Sequence, residues 1–236
     1  MQFTILAGIV LLAATWTGGA PARPLEAASA RPIQELAAVR TSQVALSQPA
    51  RGSARIELVR AQRPITEIRT VLPVLRHRTD RAGARWLQVR LPGRPNGRTG
   101  WIRKRATVAS WTSWHVVIDT SSRHVTVYNH GRVARVFRAV VGKPSTPTPH
   151  GRFFVEEAIQ LSGSDVGGPF ALALSARSNV LQEFAGGPGQ IALHGLWNVG
   201  GTLGTAVSHG CVRLDTGAMR WLVARIGPGA PVTITP

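Results

Sequence analysis

Short runs in which apolar and polar residues alternate recur along most of the chain, and few stretches carry a helical period. Ile56 to Val59, Thr70 to Leu75, Trp86 to Leu91 and Gly100 to Ile102 have the length and alternation of strands. Asp80 to Gly83, Pro92-Gly93 and Pro95-Asn96-Gly97 punctuate them as turns. The pattern resumes at His115 to Asp119, His124 to Tyr128 and Arg132 to Gly142, with turns at Thr120 to Arg123 and Asn129 to Gly131. Two successive hairpins predict an antiparallel meander. Phe170 to Ser175, Ile191 to Leu193 and Ala230 to Thr235 read as later strands. A helical spacing occurs after Arg213, where apolar residues fall at 214, 218, 219, 222 and 223. Gln34 to Val39 could form a second short helix. The expected fold is therefore mainly β.

Composition adds a compartment and a charge. The 236 residues suffice for one large or two modest domains, each with its own core. The net charge is +17, and Lys104 and Lys143 are the only lysines, so arginine supplies nearly all of it. Such a balance predicts an anionic partner or surface. No nucleic-acid-binding motif or aromatic stacking pattern accompanies it, so no nucleic acid is expected. An anionic cell-wall surface, with its carboxylates and phosphates, fits the charge equally well, and the charge alone settles little. Phe3 to Trp16 is an apolar run too short to span a membrane comfortably, followed by small residues and proline. Residues 1–22 are read as a signal peptide. No Lys or Arg precedes the run, so an uncleaved N-terminal membrane anchor is the alternative. Residues 23–53, rich in Ala, Pro, Ser and Arg, are read as a linker. A single cysteine in an exported chain cannot form an internal disulfide, which points to a free thiol with a purpose.

That cysteine sits in the most informative stretch. Ile191-Ala192-Leu193 delivers His194-Gly195 to the end of a short strand, and Ser208-His209-Gly210-Cys211-Val212-Arg213 follows after a Gly-rich interval. A thiol with one histidine two residues before it and another seventeen before it has the composition of a Cys–His nucleophile site, in which an imidazole takes the thiol proton. The helix expected after Arg213 would place Cys211 just ahead of a helix N-terminus, favouring a thiolate. The amides of Gly210 and Cys211 are oxyanion-hole candidates. An inert buried thiol is the bland alternative, but these polar neighbours suit it poorly. Zinc bound by His194, His209 and Cys211 lacks an obvious fourth ligand, and no metal site is expected.

These residues resemble the signature of the L,D-transpeptidase (YkuD-like) catalytic domain: a His, roughly fifteen residues, then Ser/Thr-His-Gly-Cys-x-Arg/Asn. The stretch ending Thr146-Pro147-Thr148-Pro149-His150-Gly151-Arg152-Phe153 is similar to the family's opening motif, with His150 where Thr is common. The resemblance covers residues 114–235. It implies Cys211 as nucleophile and His194 as base, oriented through the Gly195 carbonyl, with His209 completing the catalytic set. It groups Ser208, Gly195, Gly210 and Arg213 as oxyanion- or substrate-binding residues, Arg213 near a substrate carboxylate. It implies peptidoglycan stem peptides as substrates, 3-3 cross-links as product, an extracytoplasmic location and no cofactor. Gly167-Gly168-Pro169 and Gly186-Gly187-Pro188-Gly189 would be mobile walls of the cleft. Residues 54–109, through Trp86 to Leu91 and Gly100-Trp101-Ile102, resemble a bacterial SH3-like barrel, either a wall-binding module or a spacer with Trp86 and Trp101 in its core.

The acceptor stays open. Water would make the protein an L,D-carboxypeptidase, and a protein amine would make it an anchoring acyltransferase. A non-catalytic wall-binding protein is the rival from another class. His77, His115, His124 and His130 are read as surface or packing residues.

Overall fold

The computed structural model describes residues 32–184 and 186–236. The expected leader at 1–22 lies outside the described residues.

The first sheet contains β1 (Gln34–Val39), β2 (Gln43–Leu46), β3 (Arg55–Val59), β4 (Val71–Thr79), β5 (Arg85–Arg90), β6 (Thr99–Arg103) and β7 (Thr107–Thr112). Their spatial order is β3-β2-β6-β5-β4-β1-β7, and every pairing is antiparallel. Gln34–Val39 is thus a strand and not the helix its composition allowed. It pairs with β4 on one side and β7 on the other, and two ladders outweigh the helix propensity of Glu, Leu and Ala. Residues 34–46, read as linker, supply two strands of this sheet. Trp86 and Trp101 are buried in it. Trp86 donates its ring N–H to Asp80 (2.9 Å), and the Arg103 guanidinium lies 3.8 Å over its ring.

The remaining elements are β8 (Trp114–Asp119), β9 (His124–Asn129), β10 (Arg132–Arg138), β11 (Val141–Gly142), β12 (Gly151–Gln160), β13 (Phe170–Arg177), β14 (Gln190–His194), β15 (Ala206–Ser208), β16 (Val212–Arg213), α1 (Thr216–Val223) and β17 (Pro231–Thr235). Eight of the strands form a curled sheet in the order β10-β9-β8-β17-β12-β13-β14-β16, while β11 and β15 pair separately. β8, β9 and β10 are the predicted meander. Helix α1 turns Ala218, Met219 and Leu222 into the core of this sheet, where they join Val116, Leu172, Leu193 and Val232.

The two sheets meet across β12, which carries buried Glu156 and Glu157 at its centre. Glu156 is ion-paired with Arg63 and with Arg177. Glu157 accepts from the amide and hydroxyl of Thr66, at 2.9 and 2.8 Å. Phe154, on the same strand, is buried in the first core beside Leu72, Val89 and Ile102. Charged groups are tolerated here because each carboxylate finds donors from the other region.

Candidate active site

β14 and β16 run side by side and parallel, with His194 opposite Arg213 and Leu193 opposite Val212. Along β14 the burial alternates, so Ile191 and Leu193 enter the core while Gln190, Ala192 and His194 face outward. Val212 and Leu214 are buried in the same way, leaving Cys211 and Arg213 on the outward face with His194. Cys211 Sγ lies 3.9 Å from the Gln190 carbonyl oxygen, and the thiol is free.

His194 Nδ1 is 2.8 Å from the Gly195 carbonyl oxygen. A carbonyl can only accept, so Nδ1 carries the proton and Nε2 keeps its lone pair. Burial holds His194 below the ordinary imidazole range; the Gly195 bond opposes that shift, and Arg213 adds to it. Burial also pushes the Cys211 thiol above its ordinary value, against smaller opposing effects of the Ala192 backbone and Arg213. At neutral pH the pair is therefore neutral imidazole and neutral thiol. That departs from the helix-terminus expectation. Helix α1 starts only at Thr216, β16 intervenes, and Asp215 caps the helix by accepting from the Ala218 amide at 2.9 Å. The dipole is spent on Asp215 rather than on the thiol.

The turn that carries Cys211 is tied down by buried hydroxyls. Ser208 Oγ donates to the Cys211 carbonyl (2.6 Å) and accepts from the Gly210 amide (3.1 Å). Thr146 Oγ1 donates to the Ser208 carbonyl, and Thr148 Oγ1 donates to that of Gly210 (2.9 Å). Thr146 and Thr148 belong to the Thr-Pro-Thr-Pro stretch, whose sequence gave no hint that its hydroxyls reach across to residues 208–210. Gly210 has φ +121° and packs where a Cβ would crowd Ile191. Its amide, expected to serve an oxyanion, is engaged by Ser208.

The surrounding walls differ from expectation too. The Gly167-Gly168-Pro169 turn, expected to be mobile, is bonded in both directions: Gly167 N–H donates to Trp197 and its carbonyl accepts from Gly195, both at 2.7 Å. A Cβ on Gly167 would collide with the His194 ring. Arg213 donates to the carbonyls of Val199 and Gly200 at 3.1 and 3.2 Å. His209 is exposed, and its ring stacks on Phe184 with centroids 5.6 Å apart. Phe184 belongs to the loop 178–189, which is held from the other sheet. Arg94, between β5 and β6, donates to the carbonyls of Ser178, Leu181 and Pro188 at 2.8, 2.8 and 2.9 Å. Asn96 exchanges two hydrogen bonds with the backbone of Arg177. His150 bonds Thr120 at 2.9 Å and joins no site residue.

A parallel strand pair that presents a tautomerically fixed imidazole, a thiol and a guanidinium on one face is suited to acyl transfer through sulfur. Residues 113–234 match the family model described as the L,D-transpeptidase catalytic domain, YkuD. The chain belongs to that family. L,D-transpeptidase 1 of Mycobacterium tuberculosis is 29% identical over 126 residues, which is 50% of this chain and 49% of the relative. The chain thus matches about half the length of that relative. Solved structures of an L,D-transpeptidase from Mycobacterium smegmatis and of L,D-transpeptidase 3 from M. tuberculosis with a faropenem-derived adduct are 20% and 16% identical. The first covers 82% of this chain and 100% of its own at a TM-score of 0.40, the second 84% and 95% at 0.46. Membership rests on the family match.

Proposed function

We propose that this protein is an extracytoplasmic peptidoglycan L,D-transpeptidase that forms 3-3 cross-links through an acyl-enzyme on Cys211. The observation that carries the reading is the Nδ1–H bond of His194 to Gly195, which leaves Nε2 available on the face that also bears the thiol. In the proposed reaction Nε2 takes the Cys211 proton as sulfur attacks the carbonyl of a stem peptide's diamino acid. The carbon–nitrogen bond to the terminal D-alanine then breaks. The imidazolium returns the proton to the leaving amine, and a thioester remains. An amine from a neighbouring stem attacks the thioester, gives its proton to His194, and releases the Cys211 thiolate, which is then reprotonated.

The Cys211 amide is the proposed oxyanion donor, since Gly210 already gives its N–H to Ser208. Arg213, anchored by two loop carbonyls, presents its other terminal nitrogen to the donor's carboxylate. His209 and Phe184 together form a wall of the donor cleft. The first sheet, with both tryptophans in its core, acts as a spacer that orients this wall.

Incubation of the soluble protein with a carbapenem, followed by intact-mass analysis, tests the nucleophile. One adduct on Cys211 is expected, absent in Cys211→Ala and slowed at least about 100-fold in His194→Ala. Product analysis with stem tetrapeptides then reads the acceptor. An adduct that survives in Cys211→Ala, or turnover in that variant, overturns the assignment.

A further inference from the structure

Most arginines at the junction of the two sheets have partners. Arg63 and Arg177 meet Glu156, Arg98 meets Glu57, and Arg94 holds three carbonyls. Two do not. Arg90, at the end of β5, and Arg152, near the start of β12, both line a cavity of about 260 Å³ between the sheets. Among the described residues, neither takes part in an ion pair or in a side-chain hydrogen bond to protein. No Asp or Glu lines the cavity.

Trp114, His115, Gln34 and Thr233 complete its polar and aromatic side. His115 is bonded to Thr233 at 2.8 Å, and burial, followed by Arg152, lowers it to about 4, so the ring is neutral at pH 7. Arg90 is lowered first by burial and then by Arg152. The two guanidiniums face each other's field with no acidic side chain in the cavity.

We infer that this cavity is a binding site for a compact oxyanion, a phosphate or carboxylate group, held between Arg90 and Arg152. Arg90 is half-buried and gains from a counter-charge, Arg152 is exposed at the rim of the same cavity, and guanidinium N–H groups match the oxygens of either anion in bidentate fashion. The volume takes one such group with a small substituent. Because β5 brings Arg90 from one sheet and β12 brings Arg152 from the other, a bound anion bridges the two regions. The site shares no residue with the Cys211 cleft, so it stands whether or not the transpeptidase reading does.

Thermal unfolding and titration calorimetry of the full-length protein test it, with inorganic phosphate, acetate and glycerol 3-phosphate as probes at constant ionic strength set by sodium chloride. Ten millimolar of the preferred probe is expected to raise Tm by about 2 °C or more. Arg90→Gln and Arg152→Gln should each remove most of that rise, and the double variant all of it, while Arg51→Gln on an exposed turn keeps it. With no probe present, the double variant should unfold at the same temperature as the parent or higher, because the mutual repulsion is gone. A rise with acetate assigns a carboxylate. Inorganic phosphate alone assigns the free ion, and glycerol 3-phosphate assigns phosphate carried on a larger molecule. Absence of a rise with all three probes, or an equal rise in the double variant, overturns the site.

Discussion

On one side of Cys211 the chain from Ser208 to Arg213 is tied to its own sheet, by Ser208, Thr146 and Thr148 hydroxyls that are almost wholly shielded from water. On the other side the loop that carries Phe184 is tied to a different sheet, by the Arg94 guanidinium between β5 and β6 and by Asn96, which donates to Asn179 at 3.0 Å. The first wall carries Cys211, the proposed nucleophile, and is locked from within. The second carries Phe184 and is held from outside its own domain. The difference separates two tasks. A nucleophile must stay within a fraction of an ångström of its reacting geometry, and internal hydrogen bonds in a dry environment achieve that. A substrate wall can depend on a contact that the rest of the protein controls.

Breaking the first wall should have the largest effect. Ser208→Ala removes the bond to the Cys211 carbonyl and leaves the Gly210 amide without its acceptor. A stability loss of about 1–3 kcal/mol is expected by denaturant unfolding. The rate of Cys211 acylation should fall by about 100-fold or more, since the turn that aims the thiol is freed.

Breaking the second wall should have a smaller and different effect. Arg94→Ala leaves three converging carbonyls to solvent, and the donor KM should rise about tenfold with kcat within about twofold. Hydrogen exchange of amides 180–184 should speed up in the same variant, and Arg94→Lys should recover part of both. An equal loss of kcat and KM effect in Ser208→Ala and Arg94→Ala would erase the distinction between the walls.

The smallest effect sharpens the account of the locked wall. Burial raises the Cys211 thiol and lowers the His194 imidazole, so the free protein holds no thiolate–imidazolium pair at neutral pH. Alkylation by iodoacetamide should stay slow at neutral and mildly acidic pH and rise only above the ordinary thiol range. A Cys–His ion pair would react fully at pH 6. Acylation by substrate should instead fall on the acid side with a midpoint below the ordinary imidazole value, because protonation of His194 removes the base.

What the sequence disclosed follows the same division. His194 and Cys211 were legible because the thiol, the imidazoles and the glycines lie within one short stretch. The meander and α1 were legible from periodicity. β12 was not, although it is the longest strand, because Glu156 and Glu157 interrupt its apolar run. Their burial depends on Arg63 and Arg177, which no local pattern links to them. β1 is compatible with helix from its own residues alone, and it is a strand because residues 71–73 and 107–112, far along the chain, pair with it. Arg94 gave no local signal, since its acceptors lie 84 to 94 positions away.

The placement of Phe154 bears on how the chain is made. All strands of the first sheet have left the ribosome once residue 112 has emerged, yet Phe154 of β12 fills that sheet's core beside Leu72, Leu87 and Ile102. During vectorial synthesis the first sheet therefore waits, its interior short of one aromatic ring, until the opening meander of the second has followed it out. The N-terminal half is translated first and completed second, and a ribosome stalled between residues 112 and 154 would display a sheet with an open core.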